Sequence, residues 1–143
     1  MSLDCVFCRI LAGQAPASIV HRDPLCTAFL DNRPLNPGHL LVVPNRHADR
    51  LEDLPPDTVA AMARVAQRMA AAVRQSDLGC HAVNLLLSDG RAAGQEVQHA
   101  HLHVIPRQSG DGLGFRFCRG GGAPPDRATL DQIAERIRRA SRE

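Results

Sequence analysis

The run His99-Ala100-His101-Leu102-His103 places the strictest condition on how this chain folds. Side chains alternate across a β-strand, so a strand over Gln98 to Ile105 sets His99, His101 and His103 on one face and Ala100, Leu102 and Val104 on the other. The apolar face anchors the strand in a core. Imidazoles stacked on the opposite face cost desolvation unless a ligand or metal uses them. Two chemistries suit such a face. One is a hydrolytic zinc site with a metal-bound water as nucleophile. The other is covalent catalysis, in which a neutral imidazole attacks phosphorus and water cleaves the phosphorus–nitrogen intermediate. The loop Ser88 to Glu96 just ahead of the histidines favours the second. Gly90, Gly94 and the small Ala92-Ala93 let backbone N–H groups approach an anion, and Gln95 adds a neutral donor.

Periodicity around this strand predicts an α+β domain. Val6, Phe7, Ile10 and Leu11, stopped at Gly13, have the spacing of a short N-terminal helix. β-like runs follow at Ser18 to Arg22, Cys26 to Leu30 and Leu40 to Val43, separated by Asp23-Pro24 and by the turn-rich stretch Asn32 to Gly38, which reads as an antiparallel meander. Pro55 and Pro56 suit a first helical turn. Val59, Met62, Ala66, Met69 and Val73 then recur every three or four residues, with Gly79 as a stop, as in one long central helix. Ala82 to Leu87 supplies the remaining strand. A glycine-rich connector from Gly110 to Pro125, containing Phe115, Phe117 and Cys118, leads to a last helix over Thr129 to Arg139 with Leu130, Ile133, Ala134 and Ile137 inward. The expectation is a five-stranded antiparallel sheet with three helices in one domain, residues 1–143.

Composition narrows the function classes. All 17 basic residues are arginine, so Schiff-base lysine chemistry and a Walker-type phosphate loop are excluded. The net charge is only +2, and four Phe with no Tyr or Trp leave little to stack on bases, which disfavours a nucleic-acid partner. Arg136, Arg138, Arg139 and Arg142 near the last helix's C-terminus complement its dipole instead. No apolar run suits a bilayer and the N-terminus lacks signal-peptide design, so a soluble, cytoplasmic protein without a membrane partner is expected. Five cysteines, two of them in Cys5-Val-Phe-Cys8, argue against a disulfide framework. The pair itself fits a redox couple, half a zinc site or a chance helix spacing. Cys26, Cys80 and Cys118 read as small apolar packers, and His21 and His81 as ordinary strand or surface residues.

The stretch Gly94-Gln-Glu-Val-Gln-His-Ala-His-Leu-His-Val-Ile-Pro-Arg107 resembles the hallmark of the histidine triad family of nucleotide hydrolases and transferases. Cys5-Val-Phe-Cys-Arg-Ile-Leu-Ala-Gly13, Phe29-Leu-Asp31, Gly38-His-Leu-Leu-Val-Val-Pro44 followed by His47, and Gly110-Asp-Gly112 are similar in order and spacing to the family's bacterial Hint-like branch. The resemblance implies that His101 attacks the α-phosphate of a nucleotide, with His39 and His103 flanking it, as in a purine nucleoside phosphoramidase. Alternatives are a dinucleoside polyphosphate hydrolase and a nucleotide-binding regulator with weak catalysis. It also implies an AMP or GMP derivative as substrate, with Phe7 and Ile10 walling the base and Asp31 on the ribose hydroxyls. Gln95 and the backbone of Glu96 and Val97, next to Gly94, would hold phosphate oxygens. The chain departs from the pattern at Ser88, where many relatives have Asn, at Glu96, where the phosphoramidases have Ser, and at Ala100, where a larger residue is usual.

By the same resemblance Cys5, Cys8, His47 and His99 imply a structural zinc. Two thiolates and two imidazoles complete its tetrahedral shell, with no position for substrate water. Relatives are homodimers, and joining two sheets would cover an exposed edge.

Overall fold

The computed structural model describes residues 4–114 and 123–141, so Phe115, Phe117, Cys118 and Arg142 lie outside the described residues. The chain divides into two compact units, one running to Leu113 and one starting at Gly114. In the first, α1 (Val6–Leu11) precedes β1 (Ile19–Arg22), β2 (Cys26–Leu30), β3 (Leu40–Pro44), α2 (Pro56–Gln75), β4 (Ala82–Leu86) and β5 (Leu102–Arg107). The five strands form one antiparallel sheet in the order β1-β2-β3-β5-β4.

β2 and β3 are buried along nearly their whole length because the middle of the sheet is covered on both faces. On one face Cys26, Ala28, Leu40 and Val42 meet the α2 stripe of Met62, Val65, Ala66 and Met69. On the other Phe29, Leu41 and Val43 pack with Phe7, Cys8 and Ile10 of α1. α2 opens with Pro56, whose missing N–H costs nothing in a first turn. It stops at Gln75 rather than at Gly79, since Ser76 is extended and its hydroxyl donates to the Val73 carbonyl at 2.7 Å, taking up a helix-end acceptor.

The histidine run departs from the expected strand at its start. β5 begins at Leu102, so His99 and His101 lie ahead of it. The Ala100 N–H donates to Ala48 O at 2.7 Å and the His99 N–H turns back to Val97 O at 2.8 Å. This segment therefore docks on the loop after β3 instead of joining a strand ladder. Alternation still holds: Ala100, Leu102 and Val104 pack on the α2 side, and His103 stands opposite Leu41, on the α1 side.

The second unit contains α3 (Arg127–Ala140), capped by the Asp126 carboxylate, which accepts from the Thr129 N–H at 2.8 Å. Leu130, Ile133 and Ile137 are exposed and Ala134 is half-buried, against the inward placement expected from their spacing. Among the described residues of this unit α3 is the one regular element. No described helix is long and apolar enough to cross a membrane.

Gly38 ends the β2–β3 loop at φ +85°, and a Cβ there would lie 2.8 Å from Leu78 Cδ1 and 3.3 Å from Pro106 Cγ. Gly38→Ala is expected to lower unfolding free energy by about 1–3 kcal/mol through left-handed strain and this contact. Urea denaturation checks it, and equal stability would show that the loop can yield.

Candidate active site

Two clusters of imidazoles meet at His99 and His101. In the first, Cys5 and Cys8 from the start of α1, His47 from the loop after β3, and His99 bring one ligand atom each to within 4.8 Å of the others. His47 Nδ1 and His99 Nδ1 are 3.3 Å apart, Cys8 Sγ is 3.3 Å from His47 Nδ1, and Cys5 Sγ is 3.5 Å from His99 Nδ1. A tetrahedral zinc with bonds of about 2.0–2.3 Å needs N–N edges of about 3.3 Å and S–N edges of about 3.6 Å, so the donor set fits. Tautomers agree. His99 Nε2–H donates to Pro44 O at 2.9 Å and His47 Nε2–H to the Asp49 carboxylate at 3.1 Å, which turns both Nδ1 lone pairs toward the same point. Two facing lone pairs need a cation or thiol protons between them. Burial raises the Cys5 thiol pKa, the Cys8 N–H opposes that rise and the Cys8 thiol adds to it; a bound metal would reverse the net effect by ionising the sulfur.

The second cluster is His39, His101 and His103. His101 is buried, and its Nδ1–H donates to the main-chain carbonyl of His99 at 2.7 Å. A carbonyl only accepts, so the lone pair of neutral His101 sits on Nε2. For His39 the logic runs the other way: Nδ1 accepts from the Leu35 N–H at 3.2 Å, which leaves Nε2–H to donate to His103 Nδ1 at 3.0 Å. His103 in turn carries its proton on Nε2. The His101 and His103 rings lie 4.8 Å apart. Burial, with a smaller contribution from His101 and His39, depresses the His103 pKa to about 4, while Asp31 opposes the shift. Burial also lowers that of His39.

The other expected residues surround these rings. Phe7 packs edge-on against His101 and His99, with centroids 5.2 and 5.8 Å away, and Ile10 is buried in the same cluster. Asp31 Oδ2 is 3.7 Å from His39 Nε2, and its Oδ1 accepts from the Arg33 N–H at 2.8 Å. Ser88 is half-buried beyond β4. The loop turns through Gly90 at φ +91° and Gly94 at φ +89°. Gln95 is buried with its amide spent inside the protein, accepting from the Gly90 N–H and donating to Asp49 O, both at 2.7 Å. Its side chain thus shapes the loop. Glu96 is exposed and pairs with Arg33 at 3.2 Å, and Val97 packs beside the α1 cluster. His21, bonded to Asp23 and Arg68, and the exposed His81 stand outside the site.

Sequence reasoning missed Asp49, which supports both His47 and Gln95. A carboxylate two residues beyond a ligand histidine is the signal that could have found it. It also assigned no role to Asn36, Arg107 and Asp111, joined at 2.8–2.9 Å beside the loop that holds His39.

An antiparallel sheet with a row of imidazoles at one strand's start and a two-cysteine, two-histidine cluster alongside defines a histidine triad protein. The chain belongs to the HIT family, whose domain matches residues 12–110. It is 47% identical over 111 residues to an uncharacterized HIT-like protein of Mycobacterium tuberculosis, covering 78% of this chain and 76% of that one. It is 41% identical over 110 residues to the adenylylsulfatase HINT3 of Arabidopsis thaliana, covering 77% of this chain and 55% of the relative. Among solved structures, a Zn-bound histidine triad family protein from Mycobacterium smegmatis superposes with TM-score 0.77 at 44% identity, over 94% of this chain and 99% of that one. A HIT family protein from Bacillus anthracis gives TM-score 0.88 at 32% identity, over 98% and 99% of the two chains.

Asp49→Ala is expected to weaken metal affinity about tenfold or more, read by competition for Co(II) and its visible absorption; unchanged affinity would remove Asp49 from the metal's support. The His103 pKa bears on acid stability. Because the folded pKa of about 4 lies below the unfolded value near 6.5, its contribution is complete above 6.5 and lost as pH falls toward 4. Urea unfolding across this window should show stability falling with pH, and less steeply in His103→Asn.

Proposed function

We propose that the protein hydrolyses nucleotide derivatives at the α-phosphate through a covalent nucleotidyl-His101 intermediate, as a nucleoside phosphoramidase. The observation that carries this reading is the His101 tautomer: Nδ1–H is held by the His99 carbonyl at 2.7 Å, leaving Nε2 as the nucleophile. In the first step Nε2 bonds to phosphorus and the bond to the leaving group breaks, the leaving group taking up a proton from solvent. The positive charge that develops on the ring is stabilised by Nδ1–H against the carbonyl dipole. In the second step water oxygen bonds to phosphorus and gives up a proton to solvent, the phosphorus–nitrogen bond breaks with its electron pair returning to Nε2, and nucleoside monophosphate leaves. His103 Nε2–H donates to a phosphoryl oxygen, with His39 behind it. The N–H groups of Ala93, Gly94 and Gln95 are spent inside the loop, so those of Glu96 and Val97 are the next donors for the phosphate. Phe7 and Ile10 wall the base and Asp31 takes the ribose hydroxyls. The relative named an adenylylsulfatase supports a substrate with an adenylyl group.

Cys5, Cys8, His47 and His99 would hold zinc, which would supply a structural link between α1 and His99 rather than a reacting group. Two copies pairing along the β4 edge, where Leu85 is 52% exposed, would give the homodimer. A second reading, dinucleoside polyphosphate hydrolysis, is favoured by Arg33, an exposed cation beside the phosphate loop that can meet further phosphates.

His101→Ala is expected to abolish release of AMP from an adenosine phosphoramidate, and wild type quenched in alkaline denaturant to carry one nucleotidyl group on His101 by mass spectrometry. Undiminished turnover in the variant sinks the mechanism. Relative turnover of the phosphoramidate and a dinucleoside tetraphosphate separates the two readings.

A further inference from the structure

His39 owes its tautomer to a loop, and that loop is tied down at one side chain. Asn36 uses its amide nitrogen twice, donating to Pro106 O and to Asp111 Oδ2, both at 2.9 Å. Asp111 is itself gripped by Arg107, whose Nε donates to Oδ2 and Nη2 to Oδ1, both at 2.8 Å. The Gln108 and Leu113 N–H groups complete the carboxylate's shell at 3.1 and 3.0 Å. Arg107 is steadied in turn by Asn84 Oδ1 on β4, at 2.7 Å from Nη1. These bonds pin the loop to the far end of β5. The same Asn36 accepts the His39 N–H at its main-chain carbonyl at 3.0 Å, and its neighbour Leu35 supplies the N–H that meets His39 Nδ1.

We propose that Asn36, clamped by Asp111 and Arg107, is a positioning residue that sets the tautomer of His39 and, through the His39–His103 hydrogen bond, the proton position on His103. The inference rests on the proposed function for its catalytic meaning, since His103 Nε2–H is the donor assigned there to the phosphate. Without the clamp the loop draws the Leu35 N–H away from Nδ1, and that nitrogen can carry the proton itself. Nε2 of His39 then accepts instead of donating, His103 protonates at Nδ1, and the N–H aimed at the phosphate is lost. The Asn36 side chain bonds to Pro106 O and Asp111 and to none of the histidine rings. Its effect passes through main-chain geometry, in the way that the partner of a catalytic histidine fixes which nitrogen is basic.

The test is two-bond 1H–15N correlation spectroscopy of protein labelled at histidine nitrogen, at neutral pH, alongside steady-state kinetics on adenosine phosphoramidate. Wild type is expected to show His39 and His103 as Nε2–H tautomers. In Asn36→Ala both are expected to move toward a mixture of tautomers, with kcat down about tenfold and KM changed much less, as for a contact made only in the transition state. Asp111→Asn is expected to repeat the spectral change. A folded Asn36→Ala with unaltered tautomers overturns the proposal, as does wild-type His39 carrying its proton on Nδ1. The wild-type spectrum keeps the second outcome decisive if the variants do not fold. Wild-type protein that shows the expected tautomers yet turns over no nucleotide defeats the proposed function and leaves the clamp standing.

Discussion

One main-chain hydrogen bond per imidazole is the interaction on which the site depends. His39, His99 and His101 each commit one ring nitrogen to a backbone group: the Leu35 N–H, the Pro44 carbonyl and the His99 carbonyl. Backbone donors and acceptors cannot exchange roles, so each bond also decides where the ring's other lone pair or proton lies. Among the described residues no buried side-chain nitrogen or oxygen lacks a partner, although three of these rings are almost wholly buried. An orphaned buried group would cost about 1–3 kcal/mol, so the pairing is a condition for burying the rings at all. The proposed function would use what the pairing leaves over: Nδ1 of His99 toward a metal, Nε2 of His101 toward phosphorus.

His99 joins the two halves of this arrangement. Its side chain faces the cysteines while its carbonyl holds His101, and both rings rest on Phe7, which lies between the two cysteines in sequence. α1 has six residues, too few for a helix to persist on its own. The helix depends on the small cluster with Phe29, Leu41 and Val43 and on whatever joins its thiols to His47 and His99. A metal there would hold Phe7 and His99, whose carbonyl anchors His101, as one body. Such a metal, with no open coordination position, would have a structural part beside the proposed nucleophile.

Periodicity made the sheet, the α2 stripe and the shared face of the histidines legible, because each depends on residues close in sequence. The Leu41–His103 register shows that face to be the one α1 covers. The start of β5 was not legible, since it depends on Ala100 finding the carbonyl of Ala48, 52 residues earlier, in a loop rather than a strand. Gln95 misled for a related reason. An amide beside glycines reads as a ligand donor, and only the fold shows that Gly90 and Asp49 consume it. The α3 stripe kept its period without being buried, as spacing reports which face is apolar and not whether anything meets it. Asn36, Arg107 and Asp111 are scattered over 75 residues, two of them in loops and one at the end of β5, so their joining became visible only in three dimensions.

The rigid floor has a soft rim, and the contrast bears on how the proposed chemistry would be tuned. His39, His99 and His101 are buried and tied to backbone, whereas the side chains of Arg33 and Glu96 are 83% and 79% exposed where they pair. An ion pair so open to water is worth little to stability. Either partner can therefore turn toward a bound substrate at small energetic cost. Were a phosphate to bind as proposed, the Arg33 guanidinium 3.2 Å from Glu96 would offset the charge of that carboxylate, which would make it tolerable beside the phosphate. Substitution on the rim would then alter which leaving group is accepted without disturbing the tautomers beneath. Substitution on the floor would do the reverse, because each ring's partner is a main-chain atom that moves only with the loop carrying it.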